Sequence, residues 1–269
     1  MSKEKIVMDM LAYLKRLKIN EKIEKDGFNL STLHNAHFFT VPFENFAMHN
    51  GSDVSLRPED VANKIILNSR GGICFEFSVL LQQVFSHFAV DFQSRMARVL
   101  IPHLSPATHQ LFLVNKDNER WIFDVGFGAK GPRGLLLLKN GFTHEDDFLS
   151  SRVRCDHELG WIVSVKEKSR NDAVWEDIYS FQDVEIYPPD IKMAHFYTLF
   201  SPESLLKNYR VASLPTDNGR ISIRNNTFTE VCGLTSTSYE IADKEELLLL
   251  LSSRFGINIS ADNVTYTRN

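Results

Sequence analysis

A change of hydrophobic period near Asp91 decides most of what this chain can fold into. Before it, Phe77, Leu80, Leu81, Val84, Phe85 and Phe88 recur at the 3.6-residue spacing of a helix with one apolar face. Ile6, Met10, Tyr13, Leu14 and Leu17 make a similar stripe with Lys and Arg between them, an amphipathic first helix. Residues 31–39 read as a second short helix, on which His34 and His37 stand one turn apart as partly exposed side chains. Pro58 suits the first turn of a further helix to residue 67, where its missing N–H costs nothing. Beyond Asp91, residues 96–101, 110–114 and 121–125 read as strands, and strand-like stretches continue at Val153, 161–165 and 184–187. The class is α+β. Near the end, residues 209–214 and 220–224 flank Thr216-Asp217-Asn218-Gly219, a hairpin signal. A last helix starts at Asp243, whose spacing to Glu246 resembles a capping box, and stops near Gly256, with the leucines 247–251 as buried packing.

Composition narrows the function. With 269 residues, 43% hydrophobic and 24% charged, the chain has the make-up of a globular protein able to bury a large core. A net charge of −4 argues against nucleic acid as a partner. No apolar run approaches the roughly 18 residues of a membrane span, and the N-terminus lacks a signal-peptide core. Three widely spaced cysteines, Cys74, Cys155 and Cys232, suit a reducing, cytoplasmic setting and form neither a disulfide framework nor a zinc site.

Cys74 stands out because Arg70-Gly71-Gly72-Ile73 precedes it and the helical period follows it. A thiol in the first turn meets unpaired N–H groups and the positive end of the helix dipole, which stabilise an anion; thiolate is the nucleophilic form of cysteine. A buried, inert cysteine is the commoner reading of a lone thiol, so reactivity requires partners. Residues 110–114 and 121–125 form a hairpin around Lys116-Asp117-Asn118-Glu119. If the loop spans 116–119, Asn115 faces Arg120 and Leu111 faces Asp124; His109 then lies diagonal to Asp124 on one face, about 7–8 Å away along the backbone. A loop of 116–117 puts them directly opposite. Asp124 is a carboxylate in an apolar strand, either an edge residue facing water or the partner of His109, and the register favours His109. Glu44, in Val41-Pro42-Phe43-Glu44-Asn45-Phe46, is either a solvated loop residue or buried against Arg70. The loop from Gly126 to Gly134, with Lys130 and Arg133, is equally a plain turn or a cradle for phosphate oxygens. A thiol, a histidine and an aspartate make a relay for acyl transfer through a thioester, to water or to an amine.

The flanking motifs carry more. Pro42-Phe43-Glu44-Asn45, Arg70-Gly71-Gly72-x-Cys74-x-Glu76, Ala97-Arg98-Val99, Thr108-His109 with Phe112-Leu113-Val114, and Asp124-Val125-Gly126-Phe127-Gly128 occur in this order. The series resembles the arylamine N-acetyltransferase family over roughly residues 5–230. The resemblance implies a helical bundle with the nucleophilic cysteine (1–90), a β-barrel with the histidine and aspartate (91–190) and an α/β lid (191–269), in a cysteine-protease-like arrangement. It implies that Cys74 takes an acetyl group from acetyl-CoA and passes it to an aromatic amine or hydrazine, or to an N-hydroxyarylamine oxygen, with His109 and Asp124 completing the triad and no metal involved. Glu44 and Arg70 would form a structural ion pair and Phe127 would line the acceptor pocket. Ser105, Thr108, Gly126 and Gly128 would border coenzyme or substrate. Ile73, Ser78 and His195 depart from the residues usual at their positions and bear on pocket shape. Two alternatives stand beside it: an amide synthase of the same fold, and a cysteine hydrolase resembling the papain or transglutaminase groups. The latter share the Cys–His–Asp/Asn order but not the motifs at 42–45 and 124–128.

Overall fold

The computed structural model describes residues 8–19, 28–51, 54–168 and 173–266. Ile6 of the expected first stripe lies outside them. The first part is helical: α1 (Met10–Arg16), α2 (Leu30–Thr40), a short strand β1 (Phe43–Glu44), α3 (Phe46–His49), α4 (Pro58–Ala62), a π-helical turn (Asn63–Leu67) and α5 (Cys74–Phe88). Side-chain caps start the first two, Asp9 accepting from Leu11 and Ala12, and Asn29 from Ser31 and Thr32. Val41, before Pro42, leaves the helical region (φ −101°, ψ 110°) and stops α2.

Strands β2 (Asp91–Val99), β3 (Ala107–Lys116), β4 (Glu119–Phe123), β5 (Leu136–Leu137), β6 (Thr143–His144), β7 (Leu149–Asp156), β8 (Gly160–Glu167) and β9 (Glu176–Phe181) make one curled, barrel-like sheet. Their order is β5-β4-β3-β2-β9-β8-β7-β6, with β5 brought back against β7. Residues 184–187 are not a strand; the preceding stretch, β9, enters the sheet, and its Ile178, Tyr179 and Phe181 are buried in the barrel core. β2 begins at Asp91 rather than at 96, since its exposed first half pairs with β3 while offering little apolar signal.

β3 shows why its sequence is continuously apolar. Leu111 and Leu113 point into the barrel core, whereas Phe112 and Val114 point at the helices and join Phe77, Val84 and Phe85 of α5. Phe85 meets Phe123 of β4 edge-on at 5.1 Å, both fully buried, and truncating such a ring to alanine costs about 3–5 kcal/mol.

The remaining elements are α6 (Pro188–Phe200), α7 (Leu205–Asn208), β10 (Val211–Thr216), β11 (Gly219–Arg224), β12 (Thr227–Cys232), β13 (Thr235–Glu240), α8 (Lys244–Phe255) and a short 3₁₀ turn (Ala261–Asn263). Their sheet runs β1-β10-β11-β12-β13, so the N-terminal part lends it an edge strand at Phe43 and Glu44. Asp243 caps α8 by accepting from Glu246, and Gly256 closes it at φ +65°. Of the five leucines, Leu247, Leu250 and Leu251 are buried and Leu249 is exposed, because positions i, i+3 and i+4 share one helix face and i+2 lies away from it.

Candidate active site

Cys74 is the first residue of α5. The loop before it is sewn to the segment after α2: Gly72 donates to Pro42 O (3.3 Å), and Glu44 donates to Gly72 O (3.0 Å). Glu44 is fully buried, not a solvated loop residue. Its carboxylate accepts from Arg70 Nε (2.8 Å) and Nη2 (3.1 Å) and from the Phe46 N–H (2.8 Å). Burial pushes the Glu44 carboxyl up, but the charges of Lys64 and Arg70 outweigh it and hold the group below its ordinary value. Glu76 closes the turn by accepting from Ile73 N (3.0 Å) and from Lys64 Nζ (2.7 Å); there burial wins and the carboxyl is raised.

The hairpin supplies the other groups. Phe112 pairs with Phe123 and Asn115 with Arg120, so the register is the one that sets His109 diagonal to Asp124. Lys116 and Glu119 still pair; the turn proper is Asp117-Asn118, at φ 54° and 61°. His109 Nε2 lies 2.8 Å from Asp124 Oδ2, both residues buried, and Gly126 N–H donates to Asp124 Oδ1 at 2.8 Å. With Nε2 so engaged, Nδ1 is the ring nitrogen left for the Cys74 thiol, and Cys74 and His109 both lie against Gly126. Burial alone pushes His109 down. The Asp124 charge and hydrogen bond, with a smaller contribution from Cys74, override it and raise the imidazole to about 10. Asp124 is held below its ordinary value, burial being overcome chiefly by His109 and then by the Gly126 N–H.

Two contributors to this arrangement carry no motif. Tyr179 of β9 is fully buried, its ring 5.2 Å from that of His109; its hydroxyl faces Asp124 without reaching standard hydrogen-bond geometry. His34 of α2 donates from Nε2 to the Asp124 carbonyl at 2.9 Å. Both α2 histidines are fully buried rather than partly exposed: His37 meets the Tyr13 hydroxyl at 2.8 Å, and burial lowers it to about 3. Their place among Leu30, Leu33 and Phe38 on the apolar face is the signal for their burial, though not for what they touch.

Cys74, His109, Gly126 and Phe127 lie in the wall of a cavity of about 1110 Å³, whose other walls include Tyr197 of α6 and Arg224 of β11. The Phe127 ring stands edge-on to His109 at 5.4 Å. Thr108 brings its carbonyl 3.9 Å from the Cys74 sulfur, and Ser105 also lines the cavity, though its hydroxyl is engaged by Val99 N and Pro106 O, both at 2.8 Å. Gly128 is not among the lining residues: at φ +87° it packs against Ser213, whose hydroxyl a β-carbon there would meet at 2.9 Å. Arg133 is no anion-binding cation, being buried and donating to the carbonyls of Thr216, Asp217 and Gly219. His195 sits on α6 with its ring 5.4 Å from Phe75. Among the described residues, no His, Cys, Asp and Glu side chains gather into a group of three that could hold a metal ion.

Residues 28–264 match the model of a family described as N-acetyltransferase. An arylamine N-acetyltransferase / N-hydroxyarylamine O-acetyltransferase of Salmonella typhimurium is 28% identical over 237 residues, covering 86% of this chain and 82% of that protein. A solved arylamine N-acetyltransferase from Salmonella typhimurium superposes with a TM-score of 0.84 at 25% identity, covering 95% of this chain and 97% of the other. The arylamine N-acetyltransferase structure from M. tuberculosis superposes with a TM-score of 0.83 at 27% identity, covering 94% of each. The chain belongs to the N-acetyltransferase family.

Proposed function

We propose that this protein transfers an acetyl group from acetyl-CoA to the nitrogen of an arylamine or arylhydrazine, through an acetyl thioester on Cys74. The observation that carries this reading is the buried His109–Asp124 pair set against the thiol of Cys74 at the wall of a large cavity. His109 takes the thiol proton and Asp124 stabilises the imidazolium. The thiolate attacks the acetyl carbonyl; the new C–S bond forms as the bond to the coenzyme sulfur breaks, and His109 returns the proton to that leaving thiolate. In the second half, the acceptor amine attacks the acetyl-Cys74 carbonyl. His109 takes the amine proton and delivers it to the departing Cys74 sulfur, which leaves the amide and the free enzyme. An N-hydroxyarylamine oxygen serves as acceptor in the same way.

Phe127, edge-on to His109, gives an aromatic acceptor an apolar face at the reacting atoms. Ser105, Thr108 and Gly126 border the bound substrates, and the Glu44–Arg70 pair has a structural role. In this reading the cysteine belongs to a helical unit (1–90), the other triad members to a barrel (91–190), and residues 191–269 form the lid. A cytoplasmic setting fits three unpaired thiols, and neither nucleic acid nor a membrane is a partner, in keeping with the net charge of −4. No described helix is long and apolar enough to cross a membrane.

Intact-mass measurement after mixing with acetyl-CoA tests the reading. One acetyl adduct per chain is expected, absent in Cys74→Ala and discharged by an added arylamine to give its acetamide. Adducts confined to Cys155 or Cys232, or steady release of acetate without acceptor, overturn it.

A further inference from the structure

The sheet does not hold Asp124. The β3–β4 ladder ends at the pair Phe112 and Phe123, and Asp124 is the first residue beyond it. Its side chain is fixed by His109 of β3 and by the Gly126 N–H of its own loop. Its main chain is fixed from α2, because the carbonyl accepts from His34 Nε2 at 2.9 Å. A carbonyl only accepts, so the bond requires the tautomer with the proton on Nε2. His34 is fully buried, with its ring against Phe38 (5.8 Å) and edge-on to Phe123 (5.2 Å), so it cannot swing away. Burial keeps it below its ordinary range; the charged or titratable groups that bear on it are Asp124, His144 and neighbouring His37. His34 rides on α2 in the helical lobe that also carries Cys74, whereas His109 and Asp124 belong to the barrel.

We infer that His34 is a positioning residue for acetyl transfer, clamping the main chain of Asp124 to the helical lobe so that the carboxylate keeps its hold on His109. The inference rests on the function proposed above, but its readout does not. Without the clamp, Asp124 has a free carbonyl at a strand end and drifts from the imidazole; the acetyl-transfer rate then falls while acetyl-CoA binds as before, since His34 does not line the cavity.

The test compares His34→Leu, which fills the space without a donor, with His34→Gln, which offers a side-chain N–H of similar reach. In His34→Leu the His109 ring titration, followed by NMR, is expected to move down by about one pH unit, a tenfold loss in proton affinity. Its single-turnover acetylation is expected to slow about tenfold with KM for acetyl-CoA unchanged, within the range that small misplacements cause. His34→Gln is expected to restore both. Nitrogen-15 shifts in the unmutated protein are expected to report a neutral His34 with its proton on Nε2. An unmoved His109 titration in a folded His34→Leu, or an Nδ1–H tautomer in the unmutated protein, overturns the clamp. A protein that shows both NMR signatures yet forms no acetyl adduct refutes the proposed function and leaves the clamp standing.

Discussion

Gly126 lies hard against Cys74: a β-carbon on Gly126 would fall 2.8 Å from the Cys74 β-carbon and 2.9 Å from its α-carbon. The atoms met are main chain and the root of the side chain, so nothing flexible can yield. The same glycine donates its N–H to Asp124. One residue therefore sets the approach of the thiol-bearing helix to the carboxylate-bearing loop. Gly126→Ala is expected to fold with a loss of about 1–3 kcal/mol from overpacking. Acetyl-thioester formation is expected to slow about 100-fold, because the displacement falls on the reacting groups. Quenched-flow mass measurement checks the rate; a value near wild type would show that the loop gives way freely.

Asp124→Asn keeps the shape of the side chain and removes its charge. The charge is the chief influence raising His109 against burial, so the ring should titrate well below about 10 in the variant. The amide cannot stabilise an imidazolium and favours the wrong tautomer, which lowers turnover by about 10⁴ in related triads. Arylamine turnover and histidine NMR on the same sample check both effects. Wild-type turnover would remove Asp124 from the relay.

The register of the β3–β4 hairpin is legible in the sequence because side chains alternate strictly along strands: an even-length loop necessarily puts His109 and Asp124 on one face. The start of α5 at Cys74 is legible from the helical period that follows it. Tyr179 and His34 are not. Each reaches Asp124 from an element distant in sequence, and pattern within one segment cannot report which segment packs opposite. β9 escapes a reading by pattern because its neighbours in the sheet, β2 and β8, decide its burial. Arg133 reads as a loop cation since its partners, the carbonyls at 216, 217 and 219, lie more than 80 residues away.

The Glu44–Arg70 pair predicts a stability effect. Glu44 is fully buried and Arg70 nearly so. Removing Arg70 takes its hydrogen-bonded counter-charge from a fully buried carboxylate and leaves only the more distant Lys64, which costs up to about 3–5 kcal/mol. Arg70→Met should lose stability on this scale in urea unfolding. Adding Glu44→Gln should recover part of the loss, because the stranded carboxylate is gone. A single variant within about 0.5 kcal/mol of wild type, the range of an ordinary surface change, would mean that water reaches the carboxylate.

The same linkage gives the His109–Asp124 pair a signature in pH. His109 binds its proton up to about 10 in the folded chain, against 6.5 as its ordinary value. Between these values the folded state holds the proton more often than the unfolded state, so rising pH weakens the fold. That contribution is complete below 6.5 and lost as pH climbs through about 10. Asp124 acts at the other end: its pKa is lowered from 3.8, so its contribution is present above that value and fades as acid protonates the folded carboxylate. Buried His34 and His37, both lowered, oppose folding in acid. Comparison with the double variant His109→Gln/Asp124→Asn cancels them, since they are common to both proteins. Urea unfolding of the two proteins at closely spaced pH values from 5 to about 10 should show their stability difference shrinking as pH rises above 6.5. Parallel curves across that window would mean that His109 is not held as an imidazolium by Asp124.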